Sequence, residues 1–396
     1  MPVEGAGQGS ITGATRKVLT RSREETRLQV LERAMETHSD QFCRGVSSWK
    51  ERDKMTTAFL LANPGPTTGI SSPFFAEALG TLLCLPSRAC SDRVGERVGT
   101  GRVDAHGERV ILENLPGAHW TERHNIMAQE VAAVCAYERV VAEREPFGLF
   151  GHLVPQQALS ALQRNQVSQV LRPDLRLEIP QGRTRPPDGG GGRQQCNTAK
   201  PAPAPTKYCG PVIAEVKVIS KGVKAHYKAG SVGSRAVESR AAQIPGEYRR
   251  KVAKMDQAIL GREGEGPCAK RLGQFPLMKL VWGAFGEGSE DVHTLVAVLA
   301  ESRVRTLALR GEPPAPNQLG LEVTLIRRRL SAAAIRAANG VLLARMSQVG
   351  EGSGMAGRRR EVQRKEEMAM CHQKEADWAV KVTGQELVRR GRFWRG

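Results

Sequence analysis

Acidic residues are in short supply in this chain of 396 residues: Asp and Glu number 41 against 59 Lys and Arg, a formal net charge of +18. Such a balance attracts phosphate polyanions, which release counterions on binding, and makes nucleic acid the leading partner. Aromatic residues are scarce too, at 5%, so any core must be built from Leu, Val, Ile and Ala. Long apolar runs are missing. The most apolar early stretch, 58–62, is cut short by Pro64 and Pro66, and nothing approaches the roughly 20 residues of a bilayer span, so no membrane partner is expected. The eight cysteines (43, 84, 90, 135, 196, 209, 268, 371) stand singly. With no CxxC pair, neither a disulfide framework nor a standard zinc module is indicated. There is no Gly-x-x-x-x-Gly-Lys-Ser/Thr phosphate loop, no Gly-x-Ser-x-Gly elbow and no repeat of fixed period. Residues 1–10 are glycine-rich, with neither a basic flank nor an apolar h-region. They do not read as a secretory signal, and an intracellular protein is expected, nuclear rather than cytoplasmic if it acts on DNA.

What is present is a succession of helical and strand patterns. Residues 16–35 mix charges with apolar residues at helical spacing. Ser72 as the cap and Pro73 at the first position open an apolar helix that Pro86 closes. From Thr121 to Glu145, apolar residues recur at helical intervals without Gly or Pro, which predicts a long amphipathic helix. Two β-rich runs follow, Leu175 to Ile179 and Val212 to Ile219. Between them lie Pro186-Pro187, Gly189 to Gly192 and the Pro-Ala alternation 201–205. That tract cannot bury a core and reads as a flexible insertion, 181–210. Arg235 to Leu260 is helical in pattern apart from Pro245. Leu280 to Phe285 is a third strand, Asp291 to Glu301 a helix capped by Ser289, and Leu319 to Val349 an Ala-rich helix. The order predicts an α/β core with a mixed sheet flanked by helices.

One strand carries chemistry. In Val212 to Ile219 a period of two puts Val212, Ala214, Val216 and Val218 on one face, and Glu215 with Lys217 on the other. The preceding strand opens Arg172-Pro173-Asp174, where proline fixes the strand entry beside an acidic side chain. If the two strands pair as a hairpin, Asp174 approaches Glu215. Two converging carboxylates bind Mg²⁺ (or Mn²⁺) through oxygen, and a neighbouring lysine can orient or help deprotonate a water. Those are the parts a phosphodiester hydrolase needs.

Arg172-Pro173-Asp174 followed by Glu215-Val216-Lys217 resembles the signature of PD-(D/E)xK nucleases. More closely, residues from about 74 to 301 resemble the restriction-like endonuclease region found downstream of reverse transcriptase in some non-LTR retrotransposon polyproteins. The order Cys84, Cys90, Asp104 with Gly107, Arg123-His124-Asn125, Arg172-Pro173-Asp174 and Glu215-Val216-Lys217 carries that likeness. The resemblance implies a restriction-endonuclease-like core that nicks DNA (rather than RNA) with Mg²⁺. Asp174 and Glu215 would be the metal ligands, and Lys217 would activate the water. It also implies accessory roles for Glu130, on the helix before the strands, and for Lys251, which lies with Tyr248 and Lys254 on the helix after them. The chain departs from the family in its long insertion, in lacking the later cysteine of the segment that binds zinc in related elements, so that zinc is not expected, and in having no polymerase motif.

The expected organisation is an N-terminal extension (1–70), a helical segment with a degenerate Cys/His region (71–114), the nuclease-like core (115–305) and a helical basic extension (306–396). Arg123, His124, Arg172, Lys254 and Arg392 are the expected nucleic-acid contacts. Helix N-termini bind anions, which gives His124 and Asn125 a choice between capping and phosphate contact. The alternative reading is a non-catalytic nucleic-acid-binding relic of such an element. An HNH nuclease built on Trp120 and His124 lacks the partner His and Asn.

Overall fold

A computed structural model describes residues 53–349, apart from 63–64, 66–67, 84, 114–118, 158–170, 181–207, 221–232, 263 and 313, together with positions 22, 25, 26 and 29. The helix expected over 16–35, the insertion tract and the basic tail with Arg392 lie largely or wholly outside these residues.

Helix α1 (Ser72–Leu82) has Pro73 in its first turn, but it begins one residue earlier than the expected cap at Ser72: Ser71 is the N-cap residue and Ser72 is already helical. A two-stranded hairpin, β1 (Arg97–Val98) and β2 (Gly101–Arg102), and the short α2 (Glu108–Leu112) follow. The long amphipathic helix is α3 (His119–Tyr137). It stops eight residues before the predicted end at Glu145, and a strand the sequence reading did not contain, β3 (Val141–Arg144), takes over. The turn between them passes through Arg139 at φ 60°, a left-handed conformation that a helix cannot continue through. Val140 is buried there, so hydrophobic burial alone could not distinguish the two structures.

The remaining strands are β4 (Leu175–Ile179), β5 (Gly210–Val218) and β6 (Leu277–Trp282). They form a mixed sheet in the order β3-β4-β5-β6, antiparallel except for the parallel β5–β6 pair. A parallel pair needs a crossover. Here it is α4 (Gly233–Leu260) and the short α5 (Pro267–Leu272). Helix α4 runs through Pro245 without ending, its Ala241, Ile244, Tyr248 and Val252 making one buried stripe on either side of the proline. Strand β6 starts three residues before the predicted run. Its outer edge is closed by the start of α6 (Glu290–Leu309): Asp291 accepts the Lys279 N–H at 2.9 Å, and the Ser289 hydroxyl donates to the Lys279 carbonyl at 2.7 Å. Ser289 stands at the N-cap position, yet its hydroxyl serves the strand, which blunts an edge otherwise open to pairing.

The molecule is therefore α/β in three layers. On one face of the sheet, Leu175, Leu177, Val212, Ala214, Val216, Leu280 and Trp282 pack against α3, α6 and α7 (Gln318–Met346). On the other, Ile213 and Val281 pack against α4 and α5. Helix α7 belongs to the first core through Ile326, Leu330, Ala333 and Ala337, as Met55 does from the N-terminal side. Residues from both expected extensions thus supply wall to the first core. No described helix is long and apolar enough to cross a membrane.

Candidate active site

The alternation of β5 sorts its side chains as its sequence requires. Val212, Ala214 and Val216 enter the first core, while Glu215 and Lys217 share the opposite face with Ile213. Strand β4 pairs antiparallel with β5, Leu175 against Ala214. Asp174, one residue earlier, continues that register opposite Glu215. Its Oδ2 accepts the Val216 N–H at 2.6 Å. The hairpin thus brings together two carboxylates and a lysine that the chain separates by a long excursion.

Two further side chains complete the site. His124 reaches in from α3, its Nε2 3.1 Å from Asp174 Oδ1. Tyr248 rises from α4 and donates its hydroxyl to Glu215 Oε2 at 2.6 Å. Lys217 Nζ makes an ion pair with Glu215 Oε1. All four carboxylate oxygens consequently meet a donor or a cation: imidazole, backbone amide, ammonium and phenol. Helix α3 has already begun at His119, so His124 lies a turn inside it. It therefore does not cap the helix, and it is turned to Asp174.

The electrostatics follow from this crowding. Burial raises the Glu215 pKa, and the nearby Asp174 charge raises it further, against the opposing pull of Lys217 and Tyr248. Burial works against the Lys217 ammonium, but the charges of Glu215 and Asp174 outweigh it and hold the lysine above its ordinary value. The hydrogen bond to Asp174 raises the His124 pKa in spite of burial. Burial first, then the Glu215 charge, keeps the Tyr248 phenol far above its usual range and so a donor. The site holds two carboxyl groups close together, beside the Lys217 ammonium, the His124 imidazole and the Tyr248 phenol.

Asp174 and Glu215 both offer the oxygen donors that a hard divalent cation takes. Among the described residues, no three His, Cys, Asp or Glu side chains are gathered at metal-ligand spacing. Two protein carboxylates would leave most of a cation's coordination to water and substrate, as is usual for Mg²⁺.

Other expected residues lie elsewhere. Glu130 is turned to α7, where Arg329 and Arg336 hold it at 2.8 and 3.7 Å, and it does not join the two carboxylates. Arg123 is 9% exposed. It donates to the Val218 carbonyl at 2.8 Å and to Ser220 Oγ at 2.7 Å, with its guanidinium over the Trp120 ring at 4.4 Å. That makes it a tie between α3 and the end of β5 and takes it off the surface where a nucleic acid would meet it. Arg345 covers Trp120 as well, at 5.1 Å. Arg172 and Lys254 are exposed and Lys251 is half-buried. In the Cys/His region, Cys90 is buried with its Sγ 3.6 Å from Met346 Sδ, and His106 Nδ1 lies 3.2 Å from the Leu85 carbonyl.

The motif reading did not contain the ion pair of Arg240 and Glu247, both on α4. Their only sequence signal is a seven-residue spacing that returns to one helix face. A scan against family models finds no match for this chain, and comparisons with curated proteins and with solved structures find none either.

Proposed function

We propose that this protein is a metal-dependent endonuclease of the PD-(D/E)xK kind that hydrolyses phosphodiester bonds in DNA. In this reading the sheet and its flanking helices form a restriction-endonuclease-like core, derived from a retrotransposon and acting in the nucleus. The observation that carries it is the convergence of Asp174, Glu215 and Lys217 on one face of the β4–β5 hairpin. The net charge of +18 supports a polyanionic substrate.

Asp174 and Glu215 would hold Mg²⁺ or Mn²⁺, which supplies Lewis acidity toward phosphoryl oxygen and water. The protein's own groups do the rest. Lys217, kept as an ammonium by its two acidic neighbours, presents positive charge where the phosphoryl oxygens gain negative charge. Tyr248 fixes one oxygen of Glu215, and His124 with the Val216 amide fixes Asp174, so the carboxylates are oriented before substrate arrives. Water oxygen bonds to phosphorus as the bond to the departing strand oxygen breaks; the water's proton passes to solvent and the departing oxygen takes one up from solvent.

One observation favours a second reading, a non-catalytic DNA-binding protein of the same origin: each carboxylate oxygen already has an internal partner. Supercoiled plasmid with purified protein and Mg²⁺ or Mn²⁺ separates the two. The nuclease reading requires nicking that vanishes in Glu215→Ala and Lys217→Ala. DNA binding with no metal-dependent nicking establishes the second.

A further inference from the structure

Arg240 and Glu247 stand one above the other on α4, joined at two points: NH1 to Oε1 at 2.6 Å and NH2 to Oε2 at 3.1 Å. Their side chains are 16% and 32% exposed. The pair borders the candidate site. Glu247 directly precedes Tyr248, whose hydroxyl reaches Glu215, so the pair stands on the part of α4 that faces the site. Arg240, Glu247 and Lys251 fall on one flank of α4, next to the stripe that carries Tyr248 into the site.

A partly exposed ion pair within one helix contributes little to stability. What it does provide is a guanidinium whose plane is fixed. The planar fork that matches a carboxylate also matches phosphate, and does so better than a lysine. A guanidinium carries five N–H donors. The bonds to Glu247 and Gln243 use NH1 twice and NH2 once, which leaves donor capacity for another oxyanion. Lys251, on the same flank of α4, adds a second positive charge.

We propose that Arg240, positioned by Glu247, grips a backbone phosphate of the bound strand beside the Asp174, Glu215 and Lys217 cluster. The identity of that strand as DNA rests on the nuclease reading above; the contact itself is a binding property and needs no turnover.

The test is therefore a binding measurement on the full chain. Fluorescence anisotropy with a labelled duplex in EDTA gives Kd across a series of salt concentrations. Arg240→Ala is expected to weaken binding about tenfold at low salt and to reduce the slope of log K against log salt by about 0.9, the loss of one phosphate contact. Arg249→Ala removes the same charge from an exposed residue half a turn around α4, and is expected to keep the wild-type slope. Arg240→Lys retains charge without the fork and is expected to keep the slope while binding several-fold more weakly. Should Arg240→Ala fail to give a cooperative melt, Arg240→Lys carries the test alone, and wild-type affinity in that variant overturns the proposal. An unchanged slope in folded Arg240→Ala, or an equal loss in Arg249→Ala, overturns it as well. A slope loss confined to Arg240 in a protein that never nicks plasmid would sink the nuclease reading and leave this contact standing.

Discussion

Tyr248 donates its hydroxyl to Glu215 Oε2 at 2.6 Å, joining α4 to β5 across 33 residues of sequence. Both groups are buried, at 2% and 6% exposure, so neither has bulk water as a substitute partner. Tyr248→Phe leaves the ring in its packing and removes only the donor. The expected cost is about 1–3 kcal/mol, the penalty for a buried acceptor that loses one partner. Urea denaturation should show a lower midpoint with an unchanged m-value. Plasmid nicking should fall as well, because one oxygen of Glu215 is no longer fixed.

Glu215 itself sets function against stability. Burial and the Asp174 charge raise its pKa in the folded state, so folding favours the protonated form. Such a group contributes stability below its unfolded pKa of about 4.3, and that contribution is lost as pH rises through the higher folded value. Glu215→Gln mimics the protonated form at every pH. It is expected to be more stable than wild type at pH 8, to converge with it near pH 4, and to have no nicking activity. A Gln variant less stable than wild type at pH 8 would mean that the Lys217 ion pair outweighs burial and repulsion.

Glu138 shows the same sign far from the site. It is 1% exposed, its Oε2 has no hydrogen-bond partner among the described residues, and its pKa is pushed up to about 7, by burial first and then by the Glu322 charge. Wild-type stability should accordingly fall as pH rises from about 4.3 through 7. The opposing charges of Arg303 and Arg329 are already contained in that value, and a rise from about 4.3 to about 7 corresponds to roughly 3–4 kcal/mol over that window. Glu138→Gln should flatten the profile, read as the urea midpoint against pH. A profile identical to wild type would place the buried charge in an environment more polar than its burial implies.

The strands that hold the site were legible because their alternation is local: Glu215 and Lys217 share a face by a period of two, whatever surrounds them. Asp174 needed one further step, the hairpin, and the Arg-Pro-Asp entry signals it. Strand β3 was not legible. Val140 and Val141 continue a helical spacing, and only the left-handed turn at Arg139 separates them from the helix. His124 and Tyr248 were visible as residues but not as partners of Asp174 and Glu215, because those contacts depend on how α3 and α4 lie across the sheet. Glu130 shows the reverse. Its position before the strands resembles that of an accessory acid, but Arg329 and Arg336 arrive from a helix some 200 residues later in the chain and hold it elsewhere.

Arg123 marks the difference between a basic residue that binds and one that builds. Burial, then the neighbouring Arg345 charge, lowers its pKa to about 10, which still leaves it charged at neutral pH. Its two hydrogen bonds hold the Val218 carbonyl and the Ser220 hydroxyl at the end of β5. Arg123→Ala strands both acceptors, removes the packing on Trp120, and is expected to cost about 2–4 kcal/mol. Ser220→Ala removes one partner only and should cost about 1 kcal/mol. Neither change takes a charge from an exposed residue, so under the proposed reading the salt slope of DNA binding measured on folded protein should match wild type. Lys254→Ala, an exposed lysine on α4, should do the opposite: unchanged melting, weaker binding and a smaller slope. If Arg123→Ala instead lowers the slope without lowering the melting temperature, Arg123 is a phosphate contact after all, and α3 must open to let it reach one.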